Sequence, residues 1–187
     1  MRTIPNVLAL ARAAAVLPVV LLIGEPAHAW WALAVFSAAA LTDAVDGPLA
    51  RRLQAVTPLG AFLDPLADKI LILGALAALL GQGVVEPGLV LIIFGREALA
   101  IALRSAGLIR GISIDVSTYG KAKTVAQAVA VALVLLSVCV PDPGVATLAA
   151  ASLVAAVALT IASGVDLLVR APLLLGTGQR SAHVSAR

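Results

Sequence analysis

Long apolar runs alternate with short polar breaks along this chain. Runs of about 20 apolar residues, enough for a helix to cross a bilayer, recur at roughly 7–24, 29–50, 59–80, 88–107, 122–140 and 145–170. Gly, Pro and charged residues occupy the breaks, and no segment alternates apolar and polar residues as a half-buried strand does. The pattern predicts an all-α fold of six transmembrane helices. We expect a transmembrane domain over 1–170 and a polar, loosely ordered tail over 171–187.

Composition supports an integral membrane protein. The chain has 187 residues, of which 61% are hydrophobic and 12% charged, and its mean hydropathy is +1.08. A soluble domain would be about 25% charged. The single cysteine, Cys139, excludes a disulfide framework and a cysteine-based metal site. The only two histidines, His28 and His183, lie in a loop and in the tail, which argues against a histidine-rich metal site.

The distribution of Lys and Arg predicts the topology. The loops at 25–28, 81–87 and 141–144 contain neither residue. The alternate loops and the two chain ends carry the positive charges: Arg51, Arg52, Arg110, Lys121, Arg2, Arg170, Arg180 and Arg187. We therefore expect a multi-pass protein of the inner (cytoplasmic) membrane. By the positive-inside rule, its two termini and its second and fourth loops face the cytoplasm. The net charge of +3 reflects this bias, and we infer no nucleic-acid partner from it.

Four aspartates form the most unusual polar group of the chain. Asp43 and Asp46 are three residues apart near the end of the second run, and Asp64 and Asp68 are four apart near the start of the third. Each pair falls on one face of a helix, and the intervening turn brings the two helices together at the cytoplasmic face. Four converging carboxylates repel one another unless a cation binds them. Oxygen ligands suit Mg²⁺ or Mn²⁺, with a phosphate-bearing substrate completing the shell.

Neighbouring residues extend this predicted site. Gly47 lets a ligand approach the backbone, and Arg51, one helical turn further on, can bind a phosphate with its fork of donors. A single membrane aspartate could instead cap a helix or pair with Lys69 or Arg51, but that reading does not account for four on matching faces. The four carboxylates therefore predict a metal-dependent phosphate site.

A second group of polar residues is basic. It comes from the fourth run, the following loop and the start of the fifth run: Arg96, Arg104, Arg110, Lys121 and Lys123. Such a pocket would suit a phosphorylated acceptor, although the loop cations could simply obey the positive-inside rule. Arg96 lies within an apolar run, where a cation needs a partner. Because Glu97 is the next residue on the helix, we expect it to point elsewhere.

The motif resembles a known family. The string D-x2-D-G-x2-A-R-x8-G-x3-D-x3-D is filled by Asp43, Asp46, Gly47, Ala50, Arg51, Gly60, Asp64 and Asp68. It is similar to the signature of the CDP-alcohol phosphotransferases (CDP-alcohol phosphatidyltransferases), membrane enzymes of six helices. The opening at 4–8, the string at 63–69, Arg96-Glu97 and the string at 120–124 look like the bacterial phosphatidylglycerophosphate synthase branch.

The resemblance implies a reaction and a role for each matching residue. The family transfers a phosphatidyl group from CDP-diacylglycerol to an alcohol and releases CMP. Asp43, Asp46 and Asp64 would bind the metal, while Asp68 would share in its shell and act as the general base. The residues implied in binding the CDP-lipid are Asn6, Gly47, Ala50, Arg51, Thr57 and Gly60. The family also implies a homodimer in contact with membrane lipids.

The acceptor is the open part of the prediction. The branch resemblance favours sn-glycerol 3-phosphate, and hence a CDP-diacylglycerol–glycerol-3-phosphate 3-phosphatidyltransferase of phospholipid biosynthesis. Cardiolipin synthases share the opening and the string at 64–68, and phosphatidylinositol phosphate synthases share the core motif. From another class, a divalent-metal transporter would also place carboxylates between helices. Transporter sites tend to lie near the midplane, however, and no second acidic pair repeats the first.

Overall fold

The protein is a bundle of helices. The computed structural model describes residues 14–52, 58–109 and 118–184, with side chains over 14–42, 69–107 and 120–170 apart from positions 26, 104 and 121. Every regular element in these ranges is helical. The elements are α1 (Ala14–Ile23), a 3-10 turn (Pro26–His28), α2 (Ala29–Arg52), α3 (Pro58–Gly81), α4 (Pro87–Ile109), α5 (Thr118–Cys139) and α6 (Pro143–Val184). The all-α prediction is confirmed, and five predicted runs start within four residues of a helix start.

Proline and glycine set several helix boundaries. Pro58, Pro87 and Pro143 are the first residues of α3, α4 and α6, where proline's fixed φ suits the helix and its missing N–H leaves no bond unmade. Beyond α3, Gly83 has a φ of +68° and its N–H donates to the Leu80 carbonyl at 3.0 Å. This left-handed residue closes the helix end in a Schellman arrangement.

Helix α5 lies at the centre of the bundle. It packs most extensively against α6 and also contacts α2 and α3, while α4 packs against α6. The core is apolar, and its largest fully buried side chains include Phe36, Leu76, Leu79, Ile93, Val131 and Leu135. Helices α1 and α3 approach closely at Gly74, where an added Cβ would lie 2.9 Å from Val16 Cγ1. Such small-residue contacts are typical of helix packing in membranes.

The outside of the bundle is also apolar. Many large hydrophobic side chains are exposed, including Trp30, Trp31, Leu91, Val125, Leu148 and Val154. Among the described residues, two helices are long and apolar enough to cross a bilayer, Ala122–Cys139 and Pro143–Arg170. Shorter apolar helices are Ala14–Ile23, Ala29–Thr42 and Lys69–Gly81. These findings support an all-α membrane protein, and the count of six spans stays a prediction.

The two ends of the bundle differ in the segments they bring together. At one end, the Gln82 side chain donates to the Gly24 carbonyl at 3.4 Å. A cavity of about 160 Å³ there is lined by residues from the end of α1, the start of α2, the loop after α3 and the end of α5: Ile23, Ala29, Ala32, Leu79, Gln82, Val84, Leu135 and Val138. Since α2 and α3 each have 24 residues and are roughly 36 Å long, the end of α2 and the start of α3 lie at the opposite end.

The last helix is longer than its sequence pattern indicates. Helix α6 has 42 residues and continues to Val184, so the expectation of a loosely ordered chain directly after Arg170 is wrong for 171–184. The backbone is helical there, although Pro172, Gly176 and Gly178 are residue types that disfavour a helix interior. A helix of this length is roughly 63 Å long and exceeds the hydrocarbon core of a bilayer, about 30 Å.

Candidate functional site

The aspartate motif occupies the adjoining ends of α2 and α3. Asp43 and Asp46 lie on the last turns of α2, and Asp64 and Asp68 lie on the first half of α3. Five residues, 53–57, separate the two helices. The backbone is helical at all four positions, as the predicted spacing requires, and the four lie at the end of the bundle opposite to Gln82. Their side chains lie outside the described set, so the convergence of the carboxylates stays a prediction.

The side chains of the other motif residues also lie outside the described set. Gly47, Ala50 and Arg51 lie on α2, and Gly60 lies on α3, while Asn6 and Thr57 lie outside the described residues. Among the described side chains, no three His, Cys, Asp or Glu residues are grouped as a metal site. The predicted metal ligands are not part of that set.

A buried group of charged side chains lies beside the motif. Glu97 of α4 is buried. Its Oε2 is 2.9 Å from the Lys69 Nζ of α3, and its Oε1 pairs with the Lys123 Nζ of α5. Arg96 Nη1 lies 3.3 Å from the same Oε1. We call Lys69, Arg96, Glu97, Lys123 and Ser163 the Glu97 cluster; because Lys69 follows Asp68 directly, the cluster adjoins the aspartate motif along α3.

Helix α6 fixes the position of Arg96. The Arg96 Nη2 donates to the Ser163 Oγ at 2.6 Å, and an added Cβ at Gly164 would lie 3.3 Å from Arg96 Cγ. The Arg96 side chain is 8% exposed. Its Nε is buried and has no hydrogen-bond partner among the described residues. A buried donor of this kind requires an acceptor, and none lies among the described residues.

A second polar contact supports the cluster from within the bundle. The buried Gln127 of α5 donates from Nε2 to the Thr160 Oγ1 of α6 at 2.8 Å, and Thr160 donates to the Ala156 carbonyl at 2.7 Å. Gln127 lies one helical turn after Lys123, and Thr160 nearly one turn before Ser163. These bonds fix the α5–α6 register next to the charged residues, because unpaired polar groups there would be costly.

One expectation about this region is wrong. Glu97 was expected to point away from Arg96, since neighbouring positions on a helix differ by about 100°. The structure instead pairs them, with Arg96 Nη1 at 3.3 and 3.4 Å from the two carboxylate oxygens of Glu97. The long stem of arginine spans the angle between them, and burial among other helices favours the pair.

Sequence reasoning also missed three members of the cluster. Lys69, Glu97 and Ser163 were not among the predicted site residues, although two of them have sequence features that indicate a functional role. Glu97 is an acidic residue within an apolar run, and Lys69 directly follows the aspartate motif. Ser163 has no such feature, because small polar residues are frequent in membrane helices.

The structure brings together part of the predicted basic group. Arg96 and Lys123 meet at Glu97. Arg104 and Lys121 lie on the last turns of α4 and the first turn of α5, and their side chains are outside the described set, as is the whole of Arg110. Their part in an acceptor site stays a prediction.

Helices with an apolar exterior and a buried charged site define an all-α membrane protein with a polar centre for chemistry or binding. Residues 2–162 match the CDP-alcohol phosphatidyltransferase family. The chain belongs to this family, and the predicted resemblance is confirmed. The family consists of membrane-associated biosynthetic enzymes that in general depend on a divalent metal.

The relatives include enzymes named for two different lipid products. The chain is 41% identical over 140 residues to a probable phosphatidylglycerophosphate synthase of Mycobacterium tuberculosis, covering 75% of this chain and 65% of the relative. It is 37% identical to a CDP-diacylglycerol–glycerol-3-phosphate 3-phosphatidyltransferase of Rickettsia bellii, over 71% of this chain and 75% of that protein. It is 36% identical to a CMP-forming cardiolipin synthase of Streptomyces coelicolor, over 72% of this chain and 66% of that protein. The chain thus spans just under two thirds of the mycobacterial relative.

Proposed function

We propose that the protein transfers a phosphatidyl group from CDP-diacylglycerol to sn-glycerol 3-phosphate, giving phosphatidylglycerophosphate and CMP in phospholipid biosynthesis. The observation that carries this proposal is the buried Glu97 cluster beside the aspartate motif, where Arg96 and Lys123 meet. A buried basic group suits an acceptor that itself carries a phosphate. The names of several relatives, which are CDP-diacylglycerol–glycerol-3-phosphate 3-phosphatidyltransferases, support the same reaction.

The residues present fit a divalent metal. The motif supplies four carboxylates and no softer ligand, a donor set that suits Mg²⁺ or Mn²⁺. Asp43, Asp46, Asp64 and Asp68 would hold the ion, and they come from the last turns of α2 and the first half of α3. When bound, the ion neutralises the pyrophosphate of the donor and the charge that develops on CMP.

The chain's own residues would then act on both substrates. Asp68 accepts the proton of the acceptor hydroxyl. The oxygen of that hydroxyl attacks the phosphorus that carries diacylglycerol. The new phosphorus–oxygen bond forms as the bond from that phosphorus to the bridging oxygen breaks, and CMP leaves with the bond's electrons. The side chains and backbone that would bind the CDP-lipid are those of Asn6, Gly47, Ala50, Arg51, Thr57 and Gly60.

The acceptor phosphate would lie against the basic residues. Arg96 and Lys123 would contact it from α4 and α5, with Arg104, Arg110 and Lys121 at the outer edge of the same site. Charge-assisted hydrogen bonds to a phosphate are stronger than those to a neutral hydroxyl. An acceptor without a phosphate monoester would therefore bind more weakly.

Within the membrane, we propose six spans with both termini in the cytoplasm of the cell and the active site at the cytoplasmic face of the inner membrane. This placement rests on the Lys and Arg bias of alternate loops. It lets the acyl chains of the donor stay in the bilayer while its headgroup reaches a water-soluble acceptor. The transmembrane domain would cover 1–170, with 171–187 beyond it, and the protein would act as a homodimer.

A second candidate function is cardiolipin synthesis, since relatives at 36% identity carry that name. Phosphatidylinositol phosphate synthesis differs again only in its acceptor. The transporter alternative has no support from the comparisons, because the chain belongs to a transferase family.

An acceptor comparison tests the proposal. Purified protein in liposomes receives CDP-diacylglycerol, Mg²⁺ and one acceptor: glycerol 3-phosphate, phosphatidylglycerol or inositol phosphate. The lipid products are then identified by mass spectrometry. We expect phosphatidylglycerophosphate from the first mixture. Cardiolipin or an inositol lipid, with no product from glycerol 3-phosphate, would assign the chain to another branch.

A further inference from the structure

Glu97 contacts cations from three helices. Lys69 reaches it from α3, Arg96 from α4 itself and Lys123 from α5, while Arg96 extends the group to Ser163 of α6. The Glu97 side chain is only 3% exposed. A carboxylate repels a phosphate, so the contribution of Glu97 to an anion site must come from the cations it holds.

The local charges favour binding of an anion. Arg96 and Lys123 alone, without Lys69, bring two positive charges to the single carboxylate of Glu97. Both side chains are less than a tenth exposed. Buried charges are costly unless they are paired and hydrogen-bonded. The buried Arg96 Nε has no hydrogen-bond partner among the described residues. An anion placed here would compensate the charge and accept a hydrogen bond from Arg96 Nε.

Glu97 also restricts side chains that are otherwise flexible. A lysine ammonium sits on a four-carbon stem with many rotamers, and ordering that stem during binding would cost affinity. The contact with Glu97 orders Lys123 and Lys69 before any ligand arrives. Since Lys69 follows Asp68 on α3, the same contact relates the basic group to the position of the general base.

We propose that Glu97 is a positioning residue for the acceptor. It holds Lys123, Arg96 and Lys69 at the spacing that a phosphate monoester requires, and it thereby sets the affinity for the acceptor and not for the CDP-lipid. The inference rests on the proposed function, because it takes the acceptor to carry a phosphate. It adds Glu97 and Lys69 to the residues on which acceptor selection depends.

Three variants test the role of Glu97. Glu97→Gln keeps the shape and removes the charge, Glu97→Asp keeps the charge on a shorter stem, and Glu86→Gln changes an exposed glutamate before α4 as a control. For each, KM for glycerol 3-phosphate, KM for CDP-diacylglycerol and kcat are measured in liposomes. We expect Glu97→Gln to raise the acceptor KM by about tenfold or more, as misplaced positioning groups do, with the donor KM changed less than about twofold. Glu97→Asp should give an intermediate acceptor KM, and Glu86→Gln should match the wild type.

The outcomes separate this inference from the proposed function. If the wild type forms no product from glycerol 3-phosphate, the proposed acceptor fails before any variant is compared. If the wild type is active and Glu97→Gln leaves both KM values unchanged, or raises both equally, the positioning role is wrong while the function stands. Should Glu97→Gln fail to fold, Glu97→Asp decides by the same comparison, because it retains the buried charge. Inorganic phosphate should compete with the acceptor in the wild type and more weakly in either variant.

Discussion

Lys123 of α5 and Glu97 of α4 form an ion pair in which each side chain is only 3% exposed. The pair links two helices that lie on either side of a loop, and Lys69 extends it to α3. Removing one partner of a buried pair leaves the other charge without compensation, at a cost of about 3–5 kcal/mol. Natural helices in lipid seldom carry such groups without a functional reason. We therefore expect the pair to take part in acceptor binding.

Lys123→Met should weaken acceptor binding. Methionine keeps most of the apolar stem and removes the ammonium, so one contact to the acceptor phosphate is lost. Hydrogen bonds to charged groups are worth about 1.5–3 kcal/mol, so we expect a rise of about tenfold to a hundredfold in KM for glycerol 3-phosphate. The matched control is Arg170→Met, which removes an exposed cation whose Nε pairs with Asp166 at 2.7 Å. An equal effect of both variants would show that bulk charge, and not the buried site, governs acceptor affinity.

Asp68→Asn should abolish catalysis without preventing membrane insertion. Asparagine has nearly the same shape as aspartate but cannot accept the proton of the acceptor hydroxyl. Loss of a general base costs about 10²–10⁴-fold in rate, and loss of a metal ligand would add to it. CMP release from CDP-diacylglycerol is the measurement, and recovery of the protein in the membrane fraction is the control. Full activity of Asp68→Asn would refute the assignment of Asp68 as base.

Gly74→Leu should destabilise the bundle. Even a Cβ at position 74 would lie 2.9 Å from Val16 Cγ1, so a larger side chain forces α1 and α3 apart. Overpacking of this kind costs about 1–3 kcal/mol. The control is Gly95→Leu, also within a helix, where an added Cβ meets nothing within 4 Å. Thermal unfolding in detergent should show a lower Tm for the first variant only; equal Tm values would mean that the α1–α3 contact is not tight.

Tryptophan fluorescence should report one end of the bundle at the membrane interface. Trp30 and Trp31 are the only tryptophans, are 59% and 66% exposed, and lie at the start of α2, opposite to the aspartate motif. Tryptophan favours the headgroup region of a bilayer. In liposomes with brominated lipids, bromine near the headgroup should quench the emission more than bromine near the chain end. If bromine near the chain end quenches most strongly, the two tryptophans lie near the bilayer centre, which would contradict the expected position of this end of the bundle.

Much of the fold follows from the chain's local pattern. The apolar runs predicted α2 to α5 within four residues at each end, because a helix in lipid must satisfy its backbone internally and its length follows the bilayer. The end of α6 was missed, because residues 176–183 are mostly small or polar and because Pro172, Gly176 and Gly178 disfavour a helix interior.

Prediction was less complete for the site. Arg96 and Lys123 were identified because charges within apolar runs need a reason. The carboxylate that joins them was not, since the contact of Glu97 with Lys69 and Lys123 spans three helices and depends on their packing. The roles of Asp43, Asp46, Asp64 and Asp68 stay predictions, because their side chains lie outside those the structure describes.

The most direct test of phosphatidyl transfer to glycerol 3-phosphate measures both products of one reaction. Wild-type protein in liposomes with CDP-diacylglycerol and Mg²⁺ receives labelled glycerol 3-phosphate, and CMP release and label incorporation into lipid are followed together. We expect CMP and labelled lipid to appear in equal amounts, and neither to form in Asp68→Asn. CMP without labelled lipid would indicate hydrolysis of the donor, and the absence of both would contradict phosphatidyl transfer to glycerol 3-phosphate.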